Sequence, residues 1–329
     1  MLDVRRLVLL RDLAEYGTVT AVAELHGVTA SAVSQQLKQL EAETGVPLVL
    51  REGRGIRLTS AGRGLVEDAD AVLAALERAH TRLTRPSTEP VGPVRISCFT
   101  TAMSPLIAPL LETLARRHSG LTPHITEAEP ETSLPALRQR RADLAVVYRY
   151  THLGTPAPQG VDTHPLLTDP LLVVLPASHS AARMRHAEER DGGEGDGAER
   201  GGTEGYAEER GGLEPLALAA LADTPWITAP QGTACHDATL FACRHSGFTP
   251  QIRHTCSGFA AMLTLAATGA GAVLVPALAA MPLPPGLVAR TVGTPGLTRT
   301  IEAAVRRGTG ERPAVAACLE ALAASAAAR

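Results

Sequence analysis

The sequence has a single lysine, Lys38, few aromatic residues and no long hydrophobic run. Aromatic residues make up 3% of the chain and the formal net charge is −3, which excludes a globally basic nucleic-acid binder. The apolar run LVLL near the start is interrupted by Arg11 and Asp12, and no other segment has the length of a membrane helix. We therefore expect a cytoplasmic protein with no membrane partner.

The chain also lacks the paired-cysteine motifs of zinc ribbons. Its five cysteines include no C-x-x-C spacing, and in a cytosolic chain we expect free thiols. One span nevertheless gathers potential ligands and nucleophiles: Cys235, His236, Asp237, Cys243, His245, His254 and Cys256. A zinc site is an alternative there, although the ligand spacing is not a known one. Three consecutive residues on a helix point to different sides, which argues against a Cys-His-Asp catalytic set. We expect that the protein is not an enzyme and that it has no metal site and no cofactor.

Residues 1–59 show the pattern of a winged helix-turn-helix. Apolar spacing predicts three short helices, the first over 4–16, with Gly27 in the turn between the second and the third. Two short strands around Gly53 and Gly55 then form an arginine-rich wing. This order of elements places the third helix in a DNA major groove.

The outer face of the third helix carries short polar or flexible side chains, namely Ser31, Ser34, Gln35 and Lys38. Glutamine can read adenine bidentately, and serine fits phosphates or base edges. In the wing, Arg51 and Arg54 can neutralise phosphates or enter the minor groove. A solvated helix face and solubilising arginines are the alternative interpretations. The turn, the caps and the wing together favour contact with double-stranded DNA.

The run from Ala21 to Gly62, AVAELHGVTASAVSQQLKQLEAETGVPLVLREGRGIRLTSAG, resembles the DNA-binding signature of LysR-type transcriptional regulators. One departure is Val49, where that family usually has phenylalanine, and we expect it to alter packing under the wing. The resemblance implies a bacterial regulator that works as a homodimer or homotetramer, with RNA polymerase as a further partner. It also implies operator contacts from Thr18, Thr29, Ser31, Ser34, Gln35 and Lys38.

The apolar spacing in residues 60–85 predicts one long amphipathic linker helix. Residues 86–92 contain prolines and are predicted to form a hinge. The apolar stripe of this helix includes Leu65, Val72 and Leu76. Such a stripe needs a partner, and the same helix of a second subunit would give a two-fold dimer. The alternative is a helix packed on its own domain. The family resemblance favours the dimer.

Residues 93–329 alternate between strand and helix patterns, which predicts a mainly parallel α/β sheet. We expect one lobe from 93–160 and 292–329, and a second from 161–291. Segments such as DPLLVVLPASHSAA and LTLAATGAGAVLVPALA resemble the LysR-type effector domain, which implies a two-lobed fold like that of periplasmic binding proteins. The predicted fold class is therefore a multi-domain chain, α at the N-terminus and α/β at the C-terminus.

An unusual segment from about 183 to 214 consists mainly of Gly, Glu and Arg. It has too few apolar residues to build a core, so we expect a disordered surface insertion within the second lobe. A partner-binding loop is the alternative.

Ligands in such folds bind between the lobes, at the carboxyl ends of strands and the N-termini of helices. Free N–H groups there favour a small anionic effector. The candidate contacts are Thr100, Thr101, Thr132, Ser133, Gln231, Gly232, Thr233, Ser257 and Gly258, with Tyr148 and Phe259 as apolar walls. Helix capping is an equally good explanation of these polar residues, because caps use the same residue types.

We therefore expect a transcriptional regulator whose DNA binding responds to an effector. One alternative is a redox-sensing regulator of the same family, since its peroxide-sensing member carries two cysteines in this segment. Cys243 falls at a comparable place and Cys235 is offset by one residue. Inert thiols are the simpler interpretation. The other alternative is a sensor that acts mainly through a protein partner.

Overall fold

The computed structural model describes residues 2–52, 55–83, 89–154, 158, 160–183, 215–280, 282–293 and 297–328. Arg54 lies outside these ranges, and so does the predicted disordered insertion apart from its first residue. Within the described ranges, no helix is both long enough and apolar enough to cross a membrane.

The N-terminal domain is a three-helix unit followed by a β-hairpin. Its elements are α1 (Val4–Tyr16), α2 (Val19–His26), α3 (Ala30–Thr44) and the antiparallel strands β1 (Val49–Glu52) and β2 (Gly55–Leu58). Thr18 and Thr29 begin the second and third helices, because each hydroxyl oxygen accepts a hydrogen bond from a backbone N–H of the first turn. Fully buried apolar side chains, among them Leu10, Val22 and Leu40, form the core.

The long helix α4 (Ser60–Leu83) follows the wing and packs on α1. Val66 and Ala69 join the core of the N-terminal domain. Val72 and Leu76 lie further along the helix and remain 42% and 48% exposed. The helix is therefore packed partly on its own chain and still presents an uncovered apolar stripe.

The C-terminal region forms two lobes around a shared sheet. Lobe one contains β3 (Gly92–Cys98), α5 (Ala108–Arg117), β4 (Leu121–Glu127), α6 (Pro130–Arg138), β5 (Leu144–Tyr150), β11 (Thr298–Arg306) and α9 (Pro313–Ala327). Lobe two contains β7 (Pro225–Thr228), α7 (Ala234–His245), β8 (Gln251–Thr255), α8 (Phe259–Ala267), β9 (Ala272–Pro276) and β10 (Leu287–Thr291). The long strand β6 (Val161–Pro176) belongs to both lobes.

Strand order in the described sheet is β4-β3-β5-β11-β6-β9-β7-β8, with β10 also paired to β6. The outer strands of each lobe are parallel, as predicted, but β11 runs antiparallel to both β5 and β6. The first half of β6 pairs with β11 and its second half with β9 and β10. The pairing partner of β6 therefore changes near Pro170.

The start of the first helix of lobe one is irregular. The chain forms a 3₁₀ turn over Thr100–Ala102 and a wider π turn over Met103–Ile107, and it becomes a regular α-helix only at Ala108. Pro105 and Pro109 account for this start, because proline supplies no backbone N–H to the helix.

Gly62 allows α4 to touch the wing. A Cβ atom at this position would overlap the backbone carbonyl oxygen of Leu48, which also accepts the N–H of Thr59 at 2.9 Å. Gly64 lies in the same helical turn and has open space around it. The two glycines are therefore a matched pair that differs in packing.

We predict that Gly62→Ala destabilises the wing by about 1–3 kcal/mol, because the carbonyl cannot move without breaking the hairpin junction. Gly64→Ala should stabilise the helix by about 0.5–1 kcal/mol. Hydrogen exchange of the amides in 48–69 measures both effects. Equal protection in the two variants would show that the close approach at Gly62 is unimportant.

Candidate functional site

The third helix of the N-terminal domain presents its polar residues to solvent. Ser31, Gln35 and Lys38 are exposed and Ser34 is half-buried, so the four predicted contacts share an accessible face. Gly27 has a positive φ of 65°, which lets the chain turn sharply from α2 into α3. The arrangement fits a helix that enters a major groove by its N-terminal half.

Two of the wing arginines lie in its strands. Arg51 lies in β1, and Arg57 lies in β2 opposite Leu50. Val49 is half-buried and packs against the domain core, as expected for a residue under the wing. Arg54, the predicted contact at the tip, is outside the described residues.

A large cavity of about 1830 Å³ lies between the two lobes. Eight of the predicted contacts line it: Thr100, Thr101, Tyr148, Gly232, Thr233, Ser257, Gly258 and Phe259. They come from both lobes, at the ends of strands and the starts of helices, which is where ligands bind in such folds. These eight residues therefore line one cavity, and their contact with a ligand stays a prediction.

Three predicted contacts do not line this cleft. Ser133 is fully buried, and its hydroxyl hydrogen-bonds Ser97 at 2.8 Å and the carbonyl of Ala128 at 3.1 Å. Its hydroxyl is therefore used inside lobe one. Thr132 and Gln231 are exposed outside the cleft. Polar residues at helix starts serve the fold as often as a ligand, which explains the overprediction.

The cleft floor is built around Arg299, which sequence reasoning missed. This side chain is 1% exposed, and it donates to the carboxylate of Asp169 through Nε at 2.9 Å and Nη2 at 2.8 Å. Nη2 also donates to Thr101 Oγ1 at 2.7 Å. The rings of Phe99 and Tyr148 lie 5.0 Å and 4.9 Å from the guanidinium carbon, in cation–π contact.

An acidic group, also missed from the sequence, faces the same cleft. The Tyr148 hydroxyl donates to Glu129 Oε2 at 2.9 Å, and burial raises the pKa of Glu129 above its usual value. Glu131 lines the cleft too, and Thr100 donates to Glu127 at 2.6 Å beside it. Glu129 lies two residues after the end of β4, and this position at the carboxyl end of a strand could have indicated it from the sequence.

Of the two cysteines considered for redox chemistry, only Cys235 reaches the cleft. Burial raises the pKa of Cys235 to about 11 and that of the fully buried Cys243 to about 12. Both cysteines are free thiols, two turns apart on α7, or roughly 12 Å along the axis. A disulfide between them would require α7 to unfold, since bonded cysteines have Cα atoms within about 7 Å. No group of three metal-ligating side chains occurs in the described parts of the chain.

Helix α6 connects the cleft to the N-terminal domain. Its N-terminal flank is Glu129 in the cleft, and its last residue, Arg138, forms an ion pair with Glu15 of α1 at 2.5 Å. Arg140, just beyond α6, pairs with Glu77 of α4. One short helix thus links the cleft to the N-terminal domain.

The comparisons with known proteins match both parts of the chain. Residues 4–63 match the model of the bacterial regulatory helix-turn-helix protein, lysR family, and residues 87–191 and 204–327 match the LysR substrate binding domain. A probable hydrogen peroxide-inducible genes activator of Mycobacterium avium is 27% identical over 80% of this chain and 74% of its own length. The transcriptional regulator MetR of Haemophilus influenzae is 28% identical over 93% and 88%.

A solved structure, the Corynebacterium glutamicum OxyR C206 mutant, shares the fold. It superposes with a TM-score of 0.55 at 22% identity and covers 99% of this chain and 94% of its own. The helix-turn-helix model matches the N-terminal part and the substrate-binding model matches the C-terminal part, so the two models together span most of the sequence. The chain belongs to the LysR family of bacterial DNA-binding transcriptional regulators.

Proposed function

We propose that a small molecule bound in the interlobe cleft adjusts how this transcriptional regulator binds operator DNA. The cavity of about 1830 Å³ supports this proposal, because protein interiors are otherwise close-packed. Its walls combine apolar side chains such as Met262 and Leu263 with a few polar groups such as Thr101 and Glu129. That composition is typical of a small-molecule site.

The route from cleft to DNA runs through lobe one. A ligand that closes the lobes would shift Glu129 and the start of α6, and the far end of α6 would carry the movement to α1 through Arg138 and Glu15. Because α1 packs on α3 and α4, such a shift changes the position of the DNA-contacting helix. The ligand acts only if it favours one of the two arrangements.

The working form would be a dimer in the cytoplasm, and paired dimers would give a tetramer. Val72 and Leu76 of α4 support this part of the proposal, because their exposed apolar stripe has no cover within the described chain. Two copies would bring two DNA-contacting helices to half-sites of one operator. RNA polymerase is the expected further partner at the promoter.

A redox switch is the second candidate. Cys235 lines the cleft, and relatives of the chain include a probable hydrogen peroxide-inducible genes activator. The raised pKa of Cys235 keeps its thiol protonated at neutral pH, which slows oxidation because the thiolate is the reactive form. Peroxide should therefore change the footprint of the protein little, and a large change that Cys235→Ser abolishes would make redox sensing the main function.

A footprint on the DNA upstream of the chain's own gene tests the DNA half of the proposal. We expect protection of a dyad-symmetric site whose extent changes when the cleft is occupied. Protection that no cleft ligand alters would remove the effector from the proposal. No protection at moderate salt, together with capture of a protein partner, would favour a sensor that works without DNA.

We predict different losses from two neighbours on α3. Gln35→Ala should weaken discrimination at one base pair by about 1–3 kcal/mol, because a bidentate base contact is lost. Lys38→Ala should weaken binding to all sequences alike and lower the salt slope by about one unit. Binding titrations on operator and single-base variants, at about 50 and 200 mM salt, separate the two effects.

The same titrations can contradict this assignment. If Gln35→Ala and Lys38→Ala both lowered affinity without changing base preference, α3 would contact only the DNA backbone. If neither changed affinity, another surface would bind DNA.

We also predict that Leu76→Glu dissociates the dimer, because it places a charge in the centre of the proposed apolar interface. Ala71 is exposed and lies about 140° around the helix axis from Leu76, so Ala71→Glu adds the same charge elsewhere on the helix and serves as the control. Sedimentation equilibrium of both variants measures the mass. An unchanged mass for Leu76→Glu would place the dimer interface elsewhere.

A further inference from the structure

We propose that the cleft ligand carries a protonated amine, which binds at Glu129, on an apolar body that fills the rest of the cleft. This inference rests on the proposed function, since it names the class of ligand for the same cleft. It departs from the anionic effector that strand ends and helix N-termini favoured. The reason lies in the charges that the fold brings to the cleft.

The charged residues among those that line the described cleft are Glu129, Glu131 and Arg299. Two of these three are acidic, and Glu127 lies beside them through its hydrogen bond with Thr100. An anionic ligand would therefore meet like charges on the lobe-one wall. A cationic ligand would meet opposite charges there.

Arg299 does not restore a binding site for an anion. Its charge is compensated by Asp169, which is fully buried and contacts both Nε and Nη2. Thr101 accepts a further bond from Nη2, and the rings of Phe99 and Tyr148, whose centroids are 4.9 Å apart, pack against the guanidinium from one side. A ligand carboxylate would therefore meet a guanidinium whose charge Asp169 already compensates.

The N-terminus of α6 is also already supplied with negative charge. Glu129 precedes the helix and Glu131 lies in its first turn, where acidic side chains complement the helix dipole. The Glu129 side chain makes no capping bond to the helix and instead accepts from Tyr148. One carboxylate oxygen thus has a bond from Tyr148, and the carboxylate can accept further bonds from a ligand ammonium.

The remaining walls of the cleft are mainly apolar and therefore favour a ligand with an apolar body. Lobe two contributes Phe259, Met262 and Leu263, and the connecting segments contribute Leu278 and Pro282. Burial of apolar ligand surface against them would supply affinity, while Glu129 would select the charge. Simple polyamines and inorganic cations fit this wall poorly.

Matched pairs of amines and carboxylates test the charge. We would measure thermal shifts of the full chain, at about pH 8, with hexylammonium against hexanoate and 2-phenylethylammonium against 3-phenylpropanoate. At least one amine should raise the melting temperature, and its carboxylate counterpart should not. In Glu129→Gln the amine should bind at least about tenfold more weakly. Glu112→Gln, an exposed change on α5 outside the cleft, should leave the binding constant unaltered.

The ligand test separates two failures. If carboxylates bind and amines do not, with Glu129→Gln improving the carboxylates, the charge assignment is wrong and the cleft still binds an effector. If no compound of either charge binds, both this inference and the proposed function lose support.

Cys235 offers a second test that needs no ligand. It lines the same cleft, and its thiolate attacks the sulfur of a methanethiosulfonate reagent to form a mixed disulfide and release methanesulfinate. The reaction would be measured in a Cys256→Ser variant, because Cys256 is the other partly exposed cysteine and the remaining three are buried. Reaction rates with a trimethylammonium reagent and a sulfonate reagent, each divided by its rate with a free thiol, report the charge of the cleft.

We expect the corrected rate at Cys235 to be about tenfold higher for the cationic reagent than for the anionic one. This preference should fall several-fold in Glu129→Gln and stay the same in Glu112→Gln. Equal rates, or faster reaction with the anionic reagent, would overturn the proposal.

Discussion

The buried ion pair between Arg299 and Asp169 holds together the region on which both lobes depend. The two residues face each other across β11 and β6, and Tyr150 of β5 occupies the next position in the same row. These are the strands where the chain passes between lobes. Removing one partner would leave a buried charge uncompensated, at a cost of about 3–5 kcal/mol. The pair therefore fixes the crossover, and the crossover fixes the floor of the cleft.

That constraint also explains the character of the cleft. An arginine that is paired with Asp169, bonded to Thr101 and packed against two aromatic rings acts as part of the scaffold, even though it lies at a cavity wall. The charge left to act on a ligand belongs to Glu129, at the junction of β4 and α6, and to Glu131 beside it. The same helix ends at Arg138 against α1, so the residue that would bind the ligand and the residue that touches the N-terminal domain share a rigid element.

Sequence reasoning succeeded where the signals are local. Thr18 and Thr29 cap their helices and Gly27 turns the chain, so the helix-turn-helix could be read from neighbouring residues. Glu129 and Arg299 were missed because their roles depend on long-range topology. Arg299 enters the cleft only because β11 returns between β5 and β6. Ser133 was overpredicted for the converse reason, since a serine at a helix start looks the same whether it serves a ligand or Ser97.

The central claim is that the cleft and the DNA-contacting helix are coupled. Thermodynamic linkage tests it most directly: the factor by which a cleft-binding amine changes operator affinity must equal the factor by which operator DNA changes affinity for the amine. The measurement is a pair of titrations at one salt concentration, one of operator with and without the amine and one of the amine with and without operator. Our account predicts two equal factors that differ from one. Binding at both sites with both factors equal to one would contradict it.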